Sequence, residues 1–70
     1  ARIPLAGQNA ASLQDAEEAE KLYTLGLLDY ADGNMDGAVV YFRRCLKKNP
    51  AHAYARKALE RVEEERHPSP

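Results

Sequence analysis

Apolar side chains recur at every third or fourth position along three segments of this chain, which is the spacing of one face of an α-helix. Charged residues lie between these apolar positions, as expected for helices that have one buried face and one face in water. The pattern predicts three α-helices, over about residues 13–31, 35–48 and 52–66.

Residues that begin and end helices flank these segments. Ser12 is a predicted N-cap of the first helix, because its hydroxyl can accept a hydrogen bond from a free N–H of the first turn. Gly33 can adopt a positive φ and end that helix, and Asn34 can cap the second. Pro50 disfavours helical backbone at the residue before it, so the second helix should end there.

The same breaks divide the chain. Residues 12–66 are predicted to form one all-α domain, the most that 70 residues allow. Residues 1–11 mix a proline, a glycine and small side chains and are interpreted as a linker or flexible N-terminus, and residues 67–70 as a flexible tail. Because the chain starts at Ala1 rather than at a methionine, we expect it to be a processed protein or a piece of a longer one.

The first predicted helix is apolar on two sides. A helix packed against a single neighbour needs an apolar stripe only ~100° wide. We therefore expect this helix to contact its hairpin partner on one side and something else on the other. The first side carries Leu22, Leu25 and Gly26, and the second carries Tyr23, Leu27 and Tyr30.

The other two predicted helices each present one apolar face. Small residues at Gly26 and Ala38 should let the first two helices approach closely, and their short connection should make an αα-hairpin. The face of the second helix contains Ala38, Phe42, Cys45 and Leu46. The face of the third contains Tyr54, Ala55, Ala58, Leu59 and Val62.

One stretch of 34 residues, 19–52, contains Leu22, Leu25, Gly26, Tyr30, Gly33, Ala38, Phe42, Cys45 and Pro50 at characteristic spacings. At these positions it resembles one repeat of the tetratricopeptide repeat family, whose period is 34 residues. The main departure is Asp29, where the family commonly has an aromatic residue. The resemblance implies one antiparallel helical hairpin followed by a capping helix, as at the end of an α-solenoid that serves as a scaffold or adaptor.

The resemblance also implies a partner-binding groove on the first helix. Members that clamp the terminal carboxylate of heat-shock chaperones have Lys and Asn where this chain has Tyr23 and Leu27, so we expect an apolar groove instead. The groove would hold a peptide or helix of another protein, or it would pack on the third helix or on a neighbouring repeat. The implied groove residues are Glu20, Tyr23, Leu27, Tyr30 and Ala31.

Two other functions follow from the same residues. If the apolar face pairs with a copy of itself, the chain is a self-association element that forms a dimer or higher oligomer. A weaker alternative is a nucleic-acid binder, although the net charge of −1 argues against it and basic runs commonly form solvated faces that pair with acids. The basic run consists of Arg43, Arg44, Lys47, Lys48, Arg56 and Lys57.

Catalysis is not expected from this sequence. It has no catalytic triad pattern, phosphate-binding glycine loop or metal motif, and we expect no cofactor and no metal. Cys45 should be a small buried hydrophobe and His52 an exposed or capping residue. No apolar run is long enough to span a membrane. A single cysteine favours a cytoplasmic protein, although a processed exported protein would have the same composition.

Overall fold

The computed structural model describes residues 12–66, which form three α-helices. The second helix packs against both of the others. The all-α prediction is therefore confirmed, whereas the predicted linker 1–11 and tail 67–70 lie outside the described residues. The helices are α1, Leu13–Ala31; α2, Met35–Lys48; and α3, Ala53–Arg66.

Side-chain caps begin the first two helices where the sequence predicts them. Ser12 Oγ accepts the backbone N–H of Asp15 at 3.1 Å, and Asn34 Oδ1 accepts that of Gly37 at 3.1 Å. Each cap satisfies one of the N–H groups that have no partner within the first turn of a helix. The start of α1 and the start of α2 are thus set by local hydrogen bonds.

The α1–α2 turn is closed by backbone hydrogen bonds around Gly33. Its φ of +84° places it in the left-handed region, which residues with a side chain rarely adopt. Gly33 N–H donates to the carbonyl of Tyr30 at 3.0 Å, and Asn34 N–H donates to that of Asp29 at 2.8 Å. The Asp29 carboxylate lies beside Gly37 in the first turn of α2, where the helix dipole favours negative charge.

The third helix begins at Ala53, one residue later than predicted, because His52 is its N-cap. The Nδ1 atom of His52 accepts the backbone N–H of Ala55 at 3.1 Å. His52 is only 6% exposed, so of its two predicted roles the capping role is correct and the exposed one is wrong. A buried imidazole therefore takes the place of the usual Ser, Thr, Asp or Asn cap.

The core consists of two groups of buried residues along α2. Most lie on the faces that the sequence predicts, but two buried positions, Ala19 and Val39, do not belong to those faces. Tyr54, predicted to lie on the packing face of α3, is 73% exposed, and that prediction is wrong. The first group contains Ala38, Val39, Phe42 and Val62, and the second contains Ala19, Cys45 and Ala55.

The close approach of α1 and α2 occurs where the ring of Phe42 lies on the backbone of Gly26. A Cβ atom on Gly26 would lie 2.5 Å from Cε1 of Phe42, well inside van der Waals contact. Phe42 is fully buried, so its ring has little room to retreat. The missing side chain at Gly26 therefore allows the crossing of the two helices.

Replacing Gly26 with alanine should destabilise the protein, although alanine has the better helix propensity by ~1 kcal/mol. The added methyl group overpacks the core at a cost of about 1–3 kcal/mol, so we expect a net loss of up to about 2 kcal/mol. Urea unfolding followed by circular dichroism measures the change. The matched control is Thr24→Ala, at an exposed position on the same helix, which should change stability by no more than about 0.5 kcal/mol.

A double-mutant cycle with Phe42→Leu isolates this contact. Since leucine is smaller than phenylalanine, Phe42→Leu should be less destabilising in the Gly26→Ala background than in the wild type. Additive effects of the two substitutions would contradict the proposed overlap between Gly26 and Phe42.

Candidate partner-binding groove

A groove with a volume of about 270 Å³ lies between α1 and α3, and its floor includes Phe42 of α2. Its surface is mostly apolar and aromatic, and the two basic side chains on it belong to α3. The walls are formed by Tyr23, Leu27 and Tyr30 from α1 and by Tyr54, Lys57, Ala58 and Arg61 from α3, and the floor by Phe42 and Val62.

The five predicted groove residues separate into two sets. Tyr23, Leu27 and Tyr30 line the same groove. Glu20 instead faces the start of α3, where it borders a shallower depression beside His52. Ala31 is exposed at the last position of α1 and is not part of the groove lining.

The third helix covers only part of the α1 face. Tyr23 is half-buried, with its ring centroid 5.9 Å from that of Phe42 and 4.8 Å from that of His52. The ring of Tyr54 lies further out, 6.5 Å from Tyr23 between centroids. Leu27 remains 40% exposed. Of the three α1 side chains, Leu27 is therefore the one most open to a partner.

Tyr30 connects α1 to the end of α3. Its hydroxyl donates to Glu65 Oε2 at 2.8 Å. This hydrogen bond to a carboxylate raises the pKa of Tyr30, with partial burial acting in the same direction and the nearby Arg61 opposing both. Because the bond needs the phenol proton, it helps to hold the two walls of the groove together only while Tyr30 is protonated.

His52 connects α1 to the start of α3. Since Nδ1 accepts the Ala55 N–H, the ring proton is assigned to Nε2, which lies 2.7 Å from Glu20 Oε2 and donates to it. Only 4% of the His52 side chain is exposed, against 66% of the Glu20 side chain. This contact explains why Glu20 lies outside the groove: its carboxylate is the hydrogen-bond partner of a buried imidazole.

Part of the basic run pairs with acids of the same chain. Arg43 binds Glu63 at 2.7 Å and Lys48 binds Glu18 at 2.8 Å. The hydrogen bond and the charge of Lys48 lower the pKa of Glu18. These pairs agree with the interpretation of the run as a solvated face and lie outside the groove lining.

Four groove residues on α3 were not among the predicted site residues. Tyr54 and Ala58 were assigned to the packing face, and Lys57 to the solvated basic run. Lys57 and Arg61 are four positions apart, so they lie on one side of the helix. That spacing is the sequence feature that could have identified Lys57 and Arg61 as a pair. It does not reveal whether their side of α3 faces α1 or solvent.

Cys45 is the only cysteine of the chain and is fully buried against α1 and α3 residues. Burial, assisted by the negative charge of Glu20, raises its pKa to about 11. A thiol with so high a pKa is a poor nucleophile. Within residues 12–66, no group of three or more His, Cys, Asp or Glu side chains is arranged to hold a metal ion.

Comparisons with protein-family models, curated proteins and solved structures find no match. No helix in the part of the chain that the structure describes is both long enough and apolar enough to cross a membrane. The chemistry and geometry of the groove therefore carry the functional argument.

The buried thiol should be unreactive in the folded protein. At pH 8 we expect Cys45 to react with a disulfide reagent about 100-fold more slowly than in the unfolded chain, because its pKa of about 11 reduces the thiolate and burial blocks access. Reagent absorbance with and without urea measures the rates. The matched control carries Cys45→Ala and Thr24→Cys, which moves the thiol to an exposed position; equal rates for the two proteins would contradict the burial of Cys45.

Tyr30 should lose its proton at a higher pH in the wild type than in Glu65→Gln, because glutamine supplies no negative charge to hold the phenol proton. The stabilisation from this hydrogen bond should be complete below the ordinary pKa of tyrosine and disappear as the pH rises through the raised pKa of Tyr30. Nuclear magnetic resonance of labelled tyrosine rings follows the titration. Glu64→Gln, a neighbouring exposed change, should leave Tyr30 unaltered.

Proposed function

We propose that this chain is a non-catalytic protein-interaction module that binds a segment of another protein in the groove between α1 and α3. The observation that carries the proposal is the apolar wall formed by Tyr23, Leu27 and Tyr30, in which Leu27 is exposed, beside a concave space of about 270 Å³. A cleft lined by tyrosines and one leucine suits a protein partner, because aromatic side chains are enriched in the buried centres of interfaces.

The groove also has a buried floor. Phe42 and Val62 are fully buried at its base, so a ligand would meet close-packed core side chains there. A partner side chain that enters it would cover Leu27, which is 40% exposed. The stabilisation would come from apolar area removed from water, about 25 cal/mol per Å² before the entropic cost of association.

The proposal includes the relationship to the tetratricopeptide repeat family. It is supported by the spacing of the matching residues over 19–52, by the helical hairpin, and by the close contact between Gly26 and Phe42. In this interpretation α3 covers the open side of the hairpin and also forms the second wall of the binding groove. The role would then be that of a scaffold or adaptor.

Self-association is a second candidate function. The observation that favours it is the exposure of Leu25 and Leu28 on α1, at 40% and 57%, outside the groove. Two copies that buried these leucines against each other would form a two-fold interface. Sedimentation over a range of protein concentrations tests this candidate, since a monomer at every concentration contradicts it.

The groove proposal is tested by Leu27→Asp, with Leu28→Asp as the matched control. The two leucines are adjacent and exposed, but only Leu27 lines the groove. Random peptides displayed on phage are selected on the wild-type chain, and the Kd of each selected peptide is measured by fluorescence anisotropy. We expect Leu27→Asp to weaken binding about tenfold or more and Leu28→Asp to change it less than about twofold.

Circular dichroism separates binding from folding. Both variants should retain the helical spectrum and unfold within about 1 kcal/mol of the wild type, because both positions are partly exposed. Equal binding by wild type and Leu27→Asp would overturn the groove proposal. A loss of binding in Leu28→Asp alone would move the interface to the other side of α1.

A further inference from the structure

The two walls of the groove differ in charge. The α1 wall consists of uncharged side chains, Tyr23, Leu27 and Tyr30, whereas the α3 wall carries Lys57 and Arg61. Because Lys57 and Arg61 are one helical turn apart, their charges lie side by side along one edge of the cleft. A ligand in the groove would therefore meet an apolar wall and a positive wall.

The intramolecular ion pairs leave this positive wall without carboxylate partners. Arg43, Lys48 and Arg66 bind Glu63, Glu18 and Asp36, at 2.7, 2.8 and 3.2 Å. Within residues 12–66, Lys57 and Arg61 take part in no ion pair, although Arg61 lies close enough to Tyr30 to affect its pKa. No carboxylate in this part of the chain pairs directly with these two charges, so a carboxylate of a ligand would be their ion-pair partner.

We propose that the groove selects a segment of another protein that carries one large apolar side chain and two carboxylates. The apolar side chain would pack against Leu27, and the carboxylates would pair with Lys57 and Arg61. The spacing of these two cations corresponds to acidic residues one turn apart on a helix, or two positions apart on a strand. This inference rests on the proposed function, because it names the partner chemistry of the same site.

Single-stranded nucleic acid fits the groove less well, although it too combines negative charge with flat rings. Tyr23 already packs against Phe42 and His52, so its ring is occupied within the protein. The carboxylates of Glu20 and Glu65 lie at the opposite ends of α3 and would repel a phosphate backbone that continued beyond the groove. A short segment with acidic and apolar side chains does not need to stack on Tyr23 and does not extend to Glu20 and Glu65.

A second copy of the chain also fits less well. Three of its carboxylates are already bound within their own chain: Glu18 to Lys48, Glu63 to Arg43 and Glu65 to Tyr30. A copy that offered them would lose those bonds. Other acids, such as Asp32 and Glu64, are exposed, so a second copy is one of the outcomes that the test below distinguishes.

The test compares phage selections on three proteins that keep Leu27: the wild type, Lys57→Glu/Arg61→Glu, and the matched control Arg44→Glu/Lys47→Glu. Leu27→Asp, the variant of the groove test, supplies the background selection. The control reverses two exposed charges on α2 that lie outside the groove. Peptides selected on the wild type and on the control should carry acidic residues beside a large apolar residue. Peptides selected on Lys57→Glu/Arg61→Glu, the groove variant, should carry basic residues at those positions instead. Wild-type peptides should bind the groove variant at least about tenfold more weakly.

Salt dependence gives a second measure of the same pairs. Binding of the acidic peptides should weaken several-fold between low salt and about 1 M salt, where the screening length is about 3 Å. Apolar peptides without acids should show little change. The helical spectrum and unfolding curve of each variant are recorded first, so that a loss of folding is not counted as a loss of binding.

Each remaining outcome separates the inference from the proposed function. In one outcome, all three proteins select the same apolar peptides without acidic residues, and Leu27→Asp does not bind them. That outcome would overturn the charge inference and leave the groove proposal standing. If the wild type enriches no peptide above the level found with Leu27→Asp, the charge inference and the groove proposal are both overturned. If oligo-dT displaces the selected peptides, the ligand of the groove is nucleic acid instead of an acidic protein segment. If the wild type forms a dimer that Lys57→Glu/Arg61→Glu dissociates, the ligand is a second copy of the chain.

Discussion

The contact between the Phe42 ring and the backbone of Gly26 is the constraint on which the rest of this structure depends. The ring lies where a side chain of α1 would otherwise be, so α1 and α2 approach more closely than side chains at both positions would allow. In that position the ring is fully buried, packs on Tyr23 and joins Val62 of α3 in one buried group. One aromatic side chain thus brings all three helices together.

The groove follows from how α3 is held. Its first turn is bound to α1 through His52 and Glu20, and its last turn through Glu65 and Tyr30. Between these points α3 packs mainly on α2, so a cleft remains between α3 and the middle of α1. The helices can therefore complete a small core and still leave Leu27 open to another molecule.

The charged side chains are also divided between the groove and the rest of the surface. Ion pairs outside the groove satisfy several basic side chains within the chain, whereas Lys57 and Arg61 stand beside an apolar cleft. Exposed pairs contribute little to stability, so in the proposed function this arrangement would act chiefly on which molecules bind the groove. The buried thiol of Cys45, with its high pKa, has no such access and belongs to the core.

The sequence by itself determined the helices, their caps and the short hairpin, because these depend on interactions within about four residues. It also determined that Tyr23, Leu27 and Tyr30 share one face, which follows from the helical repeat. Only the tertiary structure decided that Tyr54, Lys57 and Arg61 form the opposite wall and that Glu20 faces His52 instead of the groove. The rotation of α3 about its axis depends on contacts between residues 32 and 35 positions apart, and helical periodicity carries no information about such pairs.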